Sequence, residues 1–165
     1  MTRWRPAPPR SSPYVTKQGF EKLQQELQAL WKERREVVAA LAAAAAEGDR
    51  SENAEYIYRK KQLREMDRRI RYLQKRLPEL KVVAEAPASR DKVYFGAWVT
   101  LEDERGEERT LRIVGADEID PSQGWISVDS PLARALLGKP LDAEVQVTTP
   151  QGEARYLVTD VRYER

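Results

Sequence analysis

The chain has 165 residues, enough for one or two small domains, of which 41% are hydrophobic and 34% charged. It contains no cysteine and no histidine, which excludes disulfides, thiolate nucleophiles, zinc–thiolate sites and imidazole chemistry. Any metal site has to be built from carboxylates, which favours a hard cation such as Mg²⁺.

The formal charge of +2 conceals an asymmetry: residues 1–90 carry 20 Lys/Arg against 12 Asp/Glu, and residues 91–165 carry 9 against 15. A basic half joined to an acidic half points to nucleic-acid contact through the first half. No apolar run reaches the length of a membrane span, and the basic N-terminus lacks the apolar core of a secretion signal. The expectation is a soluble cytoplasmic monomer that meets no membrane.

Residues 1–13 hold four prolines and read as a disordered tail. Thr16 reads as an N-cap ahead of a periodic run in which Phe20, Leu23, Leu27, Leu30, Val37, Leu41 and Ala44 follow a 3-4 spacing interrupted only by Arg34. A helix over 17–47 would be roughly 45 Å long, and the small side chains of Ala42–Ala46 allow a partner helix to approach closely. A second run, Leu63, Met66, Ile70, Leu73, Leu77 and Leu80, has the a/d spacing of a coiled-coil seam. Between the two lies Gly48, the only glycine between Gly19 and Gly96. The pattern predicts an antiparallel hairpin over 14–86, with Glu47–Tyr56 at its tip.

Pro78 weakens the second helix end, and Pro87-Ala88-Ser89 reads as a linker. From residue 91 onward strand patterns dominate: Tyr94–Leu101, a turn at Glu104–Glu107, Thr110–Val114, Trp125–Val128, then Ala143–Thr149 and Ala154–Tyr163 about a turn at Pro150–Glu153. Pro131 starts a short helix that Gly138 ends. The fold class is α+β: an N-terminal coiled-coil hairpin followed by a small, mostly antiparallel β domain over 91–165 with one short helix.

Two constellations could carry chemistry. At the tip, Asp49 and Glu52 admit two compatible readings. Asp49 as N-cap with Glu52 at N3 forms a capping box after a C′ glycine at Gly48. Alternatively the two carboxylates project together, to hold a divalent ion or orient a water once another macromolecule supplies the rest of the site. The second constellation is basic: residues 59–76 hold nine Lys/Arg (Arg59, Lys60, Lys61, Arg64, Arg68, Arg69, Arg71, Lys75, Arg76) against Glu65 and Asp67. Lys61, Arg64, Arg68, Arg71 and Lys75 repeat the 3-4 spacing two positions off the seam, so they line an outer face suited to a phosphate backbone. Tyr56 and Tyr58 could contact a base or ribose, and Tyr56 could equally pack onto the alanine run. Ser51 and Ser130 have no histidine to activate them, so a self-contained active site is not expected.

The chain resembles the bacterial transcript-cleavage factors of the GreA/GreB family over residues 14–165. Three groups of residues carry the resemblance: Thr16-x-x-Gly19-x-x-x-Leu23-x-x-Glu26-Leu27-x-x-Leu30; Gly48-Asp49-x-x-Glu52-Asn53-Ala54-Glu55-Tyr56; and, in the second domain, Phe95-Gly96-Ala97, Ile113-Val114-Gly115, Ile126-Ser127-x-Asp129-Ser130-Pro131-x-Ala133-Arg134-Ala135-Leu136 and Thr149-Pro150-x-Gly152-Glu153. Asp49–Asn53 with Lys60–Arg69 is closer to the GreB branch, whereas Pro140-Leu141-Asp142-Ala143 departs from the family pattern.

The resemblance implies an FKBP-like second domain without isomerase activity and a hairpin that enters the secondary channel of RNA polymerase. Asp49 and Glu52 would there share Mg²⁺ with the polymerase, the free protein needing no cofactor, and stimulate cleavage of backtracked nascent RNA. Arg59, Lys60, Lys61, Arg64, Arg68, Arg71 and Lys75 would hold the RNA 3′ segment, and Asp129, Ser130 and Pro131 would dock on the β′ rim. The other readings are a channel-binding inhibitor of the polymerase and a general RNA-binding module.

Overall fold

A computed structural model describes residues 11–48 and 53–163. The chain forms two compact units, Phe20–Leu80 and the chain on either side of it, residues up to Gly19 together with Lys81 onward. No helix among the described residues is long and apolar enough to cross a membrane.

The first unit is built on α1 (Lys17–Ala45) and α2 (Ala54–Arg76). The two helices run antiparallel: Glu26 meets Arg69, Arg34 meets Asp67, and Ala44 meets Asn53. The seam expected from spacing is the face that is buried, with Leu23, Val37 and Ala44 on α1 and Met66, Ile70 and Leu73 on α2. Arg34, the one break in the apolar spacing, donates from Nε to Asp67 Oδ1 at 2.7 Å. The pair raises the pKa of Arg34 above its ordinary value, first through the hydrogen bond and then through charge attraction. Both partners are about a third exposed, where solvent screening leaves an ion pair contributing little to stability. A polar seam residue of this kind fixes register more than it adds stability. Pro78 turns the end of α2 into a 3₁₀ turn, Leu77–Glu79.

The second unit is a five-stranded sheet in the order β5-β4-β3-β7-β6, made of β3 (Trp98–Glu102), β4 (Glu108–Val114), β5 (Trp125–Ser127), β6 (Glu144–Thr149) and β7 (Gly152–Arg162). All its pairings are antiparallel except β4 with β5. Its core joins Val99, Leu101, Leu111, Ile113, Val145 and Val158 to Ala133 and Leu136 of α3 (Pro131–Leu136). The first strand starts four residues later than its apolar pattern suggests. Gly96 has φ +86°, and Ala97 N–H donates to Tyr94 O, so Tyr94–Ala97 is a turn. On the other face, register aligns a row Arg162–Trp98–Arg112–Trp125 across four strands. Arg112 lies 5.2 Å from the Trp98 ring and 5.4 Å from that of Trp125. In the departing segment, Asp142 adopts φ +69° and its N–H donates to Val158 O at 2.8 Å.

One pairing was not legible beforehand. β1 (Tyr14–Thr16) pairs in parallel with β2 (Lys81–Val83), so both strands belong to the β unit rather than to the hairpin. Of the tail expected over 1–13, residues 1–10 lie outside the described residues. Ser12 is tied down, donating from N–H and hydroxyl to the Asp129 carboxylate, and Pro13 O accepts from Lys81 N–H at 2.8 Å.

Thr16 ends β1 and caps α1, its Oγ1 accepting from Gly19 N–H at 3.0 Å. The buried carboxylate of Glu118 accepts from Thr16 N–H at 3.1 Å, from the Thr16 hydroxyl, and from Gly115 N–H at 2.7 Å. Glu118→Ala strands these donors in a dry site and is expected to cost about 1–3 kcal/mol. Chemical denaturation followed by near-ultraviolet circular dichroism checks this; an unchanged midpoint contradicts it.

Candidate nucleic-acid interface and hairpin tip

The tip closes on a different residue from the one its spacing suggests. α1 ends at Ala45, and Gly48 follows with φ +125°. α2 begins at Ala54 with Asn53 as its N-cap, in extended conformation, Oδ1 accepting from Tyr56 N–H at 3.1 Å. The capping box of Asp49 and Glu52 is therefore corrected. Asn53 does the capping, and its Nδ2 also donates to Ala44 O at 2.7 Å, satisfying a carbonyl at the end of α1. One amide thus serves both helix ends. The signal was present: Asn just before a helical run with an acid, Glu55, in its first turn. The capping reading of Asp49 and Glu52 lacked that comparison. Asp49 and Glu52 themselves lie outside the described residues.

The seven basic residues expected to meet RNA divide into two groups. Arg59 is half-buried; its Nε donates to Glu55 Oε1 at 2.8 Å, and Nη1 donates to Gln62 Oε1 at 3.0 Å. Lys60 lies 5.9 Å from the Tyr56 ring. Lys61, Arg64, Arg68, Arg71 and Lys75 are all exposed, and the ion pairs of α2 fall instead on Arg59, Arg69 and Arg76. Arg69 donates through two nitrogens to Glu26 at 2.8 and 3.0 Å and belongs to the edge of the seam. Tyr58 is exposed and Tyr56 half-buried.

In the β unit, Asp129 holds Ser12, and Ser130 caps α3, its Oγ accepting from Ala133 N–H at 3.2 Å. Only Pro131 of the expected docking trio is freely exposed. Among the described residues no group of three or more Asp/Glu could hold a metal ion. The only carboxylates at the tip turn are Glu47, Asp49, Glu52 and Glu55, oxygen donors of the kind Mg²⁺ takes.

Asn53→Ala removes both hydrogen bonds and is expected to cost about 0.5–2 kcal/mol. Thermal melting at 222 nm should show a lower midpoint, and full retention of the wild-type midpoint argues against the double role.

Residues 13–82 match the family described as "Transcription elongation factor, N-terminal", and residues 87–163 match "Transcription elongation factor, GreA/GreB, C-term". Transcription elongation factor GreB of Pseudomonas aeruginosa is 57% identical over 164 residues, 99% of this chain and 98% of that protein. Its counterpart in Yersinia pestis is 57% identical over 153 residues, 92% of this chain and 90% of that protein. Among solved structures, GreA factor homolog 1 of Thermus thermophilus is 24% identical with a TM-score of 0.42, covering 90% of this chain and 97% of that one. With both of its halves matched and relatives alike over nearly their whole length, the chain belongs to the GreA/GreB family of transcription elongation factors.

Proposed function

We propose that this protein is a transcript-cleavage elongation factor of the GreB type. Its hairpin enters the secondary channel of RNA polymerase and stimulates the polymerase's Mg²⁺-dependent hydrolysis of backtracked nascent RNA, rescuing arrested complexes. The observation that carries the reading is the capping by Asn53. Asn53, and not Asp49, is the N-cap of α2 and also ties it to Ala44 of α1, so the reading assigns the carboxylates of Asp49 and Glu52 to the polymerase centre rather than to a capping box.

Asp49 and Glu52 supply carboxylate oxygens toward the polymerase centre and orient the attacking water. Asp49 and Glu52 would help hold a Mg²⁺ shared with the polymerase, which when bound would neutralise charge at the phosphodiester and acidify a water. Lys61, Arg64, Arg68, Arg71 and Lys75, with Arg59 and Lys60 nearer the tip, hold the phosphates of the extruded 3′ segment. The α3 start, with Pro131 outermost and Asp129 and Ser130 shaping it, docks on the β′ rim. The protein acts as a cytoplasmic monomer and has no self-contained active site; the nuclease centre belongs to the polymerase.

The test is RNA release from a stalled, backtracked polymerase complex in Mg²⁺. Wild type is expected to cleave, whereas Asp49→Ala and Glu52→Ala abolish cleavage and bind polymerase nearly as well. Loss of polymerase binding in both variants overturns the tip mechanism, and slowed elongation without cleavage by wild type favours a channel-binding inhibitor.

Arg64→Ala and Arg68→Ala should weaken action on longer extruded RNA in a salt-dependent way. Each lost phosphate contact lowers the slope of log affinity against log salt by about 0.7. Cleavage rates across a salt titration check this; equal activity at every concentration counts against the basic face.

A further inference from the structure

Trp31 is the largest side chain the hairpin leaves in water. It is 41% exposed, one position beyond the seam residue Leu30, and with Val38 (40%) is one of the two large apolar side chains that α1 exposes. It does not stand alone. A groove of about 520 Å³ takes it as part of its lining, together with buried Ile70, Gln74 and the arginines Arg34, Arg64, Arg68 and Arg71. The one carboxylate that lines it, Asp67, is paired with Arg34 at 2.7 Å. The groove therefore brings an indole and a buried aliphatic side chain together with exposed guanidinium groups, and its single negative charge is already matched.

This combination separates nucleic acid from other occupants. A phosphate backbone alone would be served by the arginines without an indole, and an apolar helix would not be met by three exposed guanidinium groups. Bases of single-stranded RNA present a flat π surface and a charged backbone within a few ångströms of each other. Aromatic side chains set among cations are the usual platform for them.

We infer that Trp31, in a groove it lines with Ile70, Arg64, Arg68 and Arg71, is a nucleobase-stacking site for single-stranded RNA. The inference rests on the proposed function and deepens it. The extruded RNA is held by one base at a fixed point on the hairpin as well as by its phosphates. Trp31 lies fourteen residues before the end of α1 at Ala45, about 21 Å along the helix, so the site selects RNA long enough to reach it. Trp31 is a positioning residue, acting on the substrate at a distance from the reacting bond.

Two measurements on the full-length protein test it. In the first, a labelled oligouridylate is titrated into the free protein over a range of salt. Trp31→Leu, which keeps apolar packing but removes the stacking face, should weaken binding at least about fivefold with the salt slope unchanged. Trp31→Phe should keep most of the affinity, and Arg68→Ala should lower the slope. In the second, single abasic nucleotides are scanned through the extruded RNA of a backtracked polymerase complex. Wild type should show one position at which cleavage slows, and with Trp31→Leu the scan should be flat.

Equal binding by wild type and Trp31→Leu, or identical abasic scans, overturns the stacking site while leaving the elongation function standing. So does polyglutamate binding that is as tight and as sensitive to Trp31→Leu, since it would assign the groove to an acidic peptide. Binding through Trp31 by a protein that never stimulates cleavage overturns the function and leaves the groove standing.

Discussion

The hairpin depends on the burial of one heptad seam. Leu73 is fully buried, and Leu23, Val37, Met66 and Ile70 are nearly so. Removing a buried Leu, Ile or Met side chain typically costs about 2–5 kcal/mol, whereas the flanking ion pairs are exposed enough that solvent screening leaves them contributing little. Stability therefore comes from the seam, and the charges choose among registers. A slip of one heptad sets Arg34 beside Lys60 or Gln74 instead of Asp67. It also removes Asn53 from Ala44 and with it the tie between the helix ends. The apolar seam tolerates such a slip; the polar contacts do not.

That division explains how a mostly solvated hairpin can present chemistry at defined places. The cations Lys61, Arg64, Arg68, Arg71 and Lys75 stay exposed on the outer face, while Arg34 and Arg69 at the seam pair with Asp67 and Glu26 across the two helices. The same arrangement neutralises Asp67 at the wall of the groove beside Trp31. Structural pairing and the basic surface are thus two outcomes of one charge distribution.

Most of the architecture was legible in the sequence because it rests on periodicity. The 3-4 spacing gave both helices, and strand alternation with turn residues gave the five strands and the short helix. What escaped depends on contacts between distant residues. The parallel pair β1–β2 joins segments more than sixty residues apart and is only three residues long on each side. Glu118 is one acid among many until its three donors come together. At the tip, local spacing favoured Asp49 as the cap, because Gly48-Asp49 is a stronger local signal than Asn53. Asn53 wins because its amide also reaches Ala44 on the other helix, a contact no local pattern contains. Trp31 carries no local signal for a similar reason, because Arg64 and Arg68, which line the same groove, lie on the opposite helix.

The buried carboxylate of Glu118 has a consequence for how this protein can vary. A side chain at Gly19 would collide with the Glu118 carboxyl group, and one at Gly115 would collide with the backbone carbonyl of Tyr14. The obstacle at Gly19 is a side chain, so it disappears if residue 118 is shortened. The obstacle at Gly115 is main chain and stays whatever residue 118 becomes. A side chain at Gly19 is therefore tolerable only once residue 118 has been shortened, while Gly115 is constrained on its own account. Across a set of related sequences a residue other than glycine at 19 should appear only beside a shorter residue at 118, and position 115 should hold still.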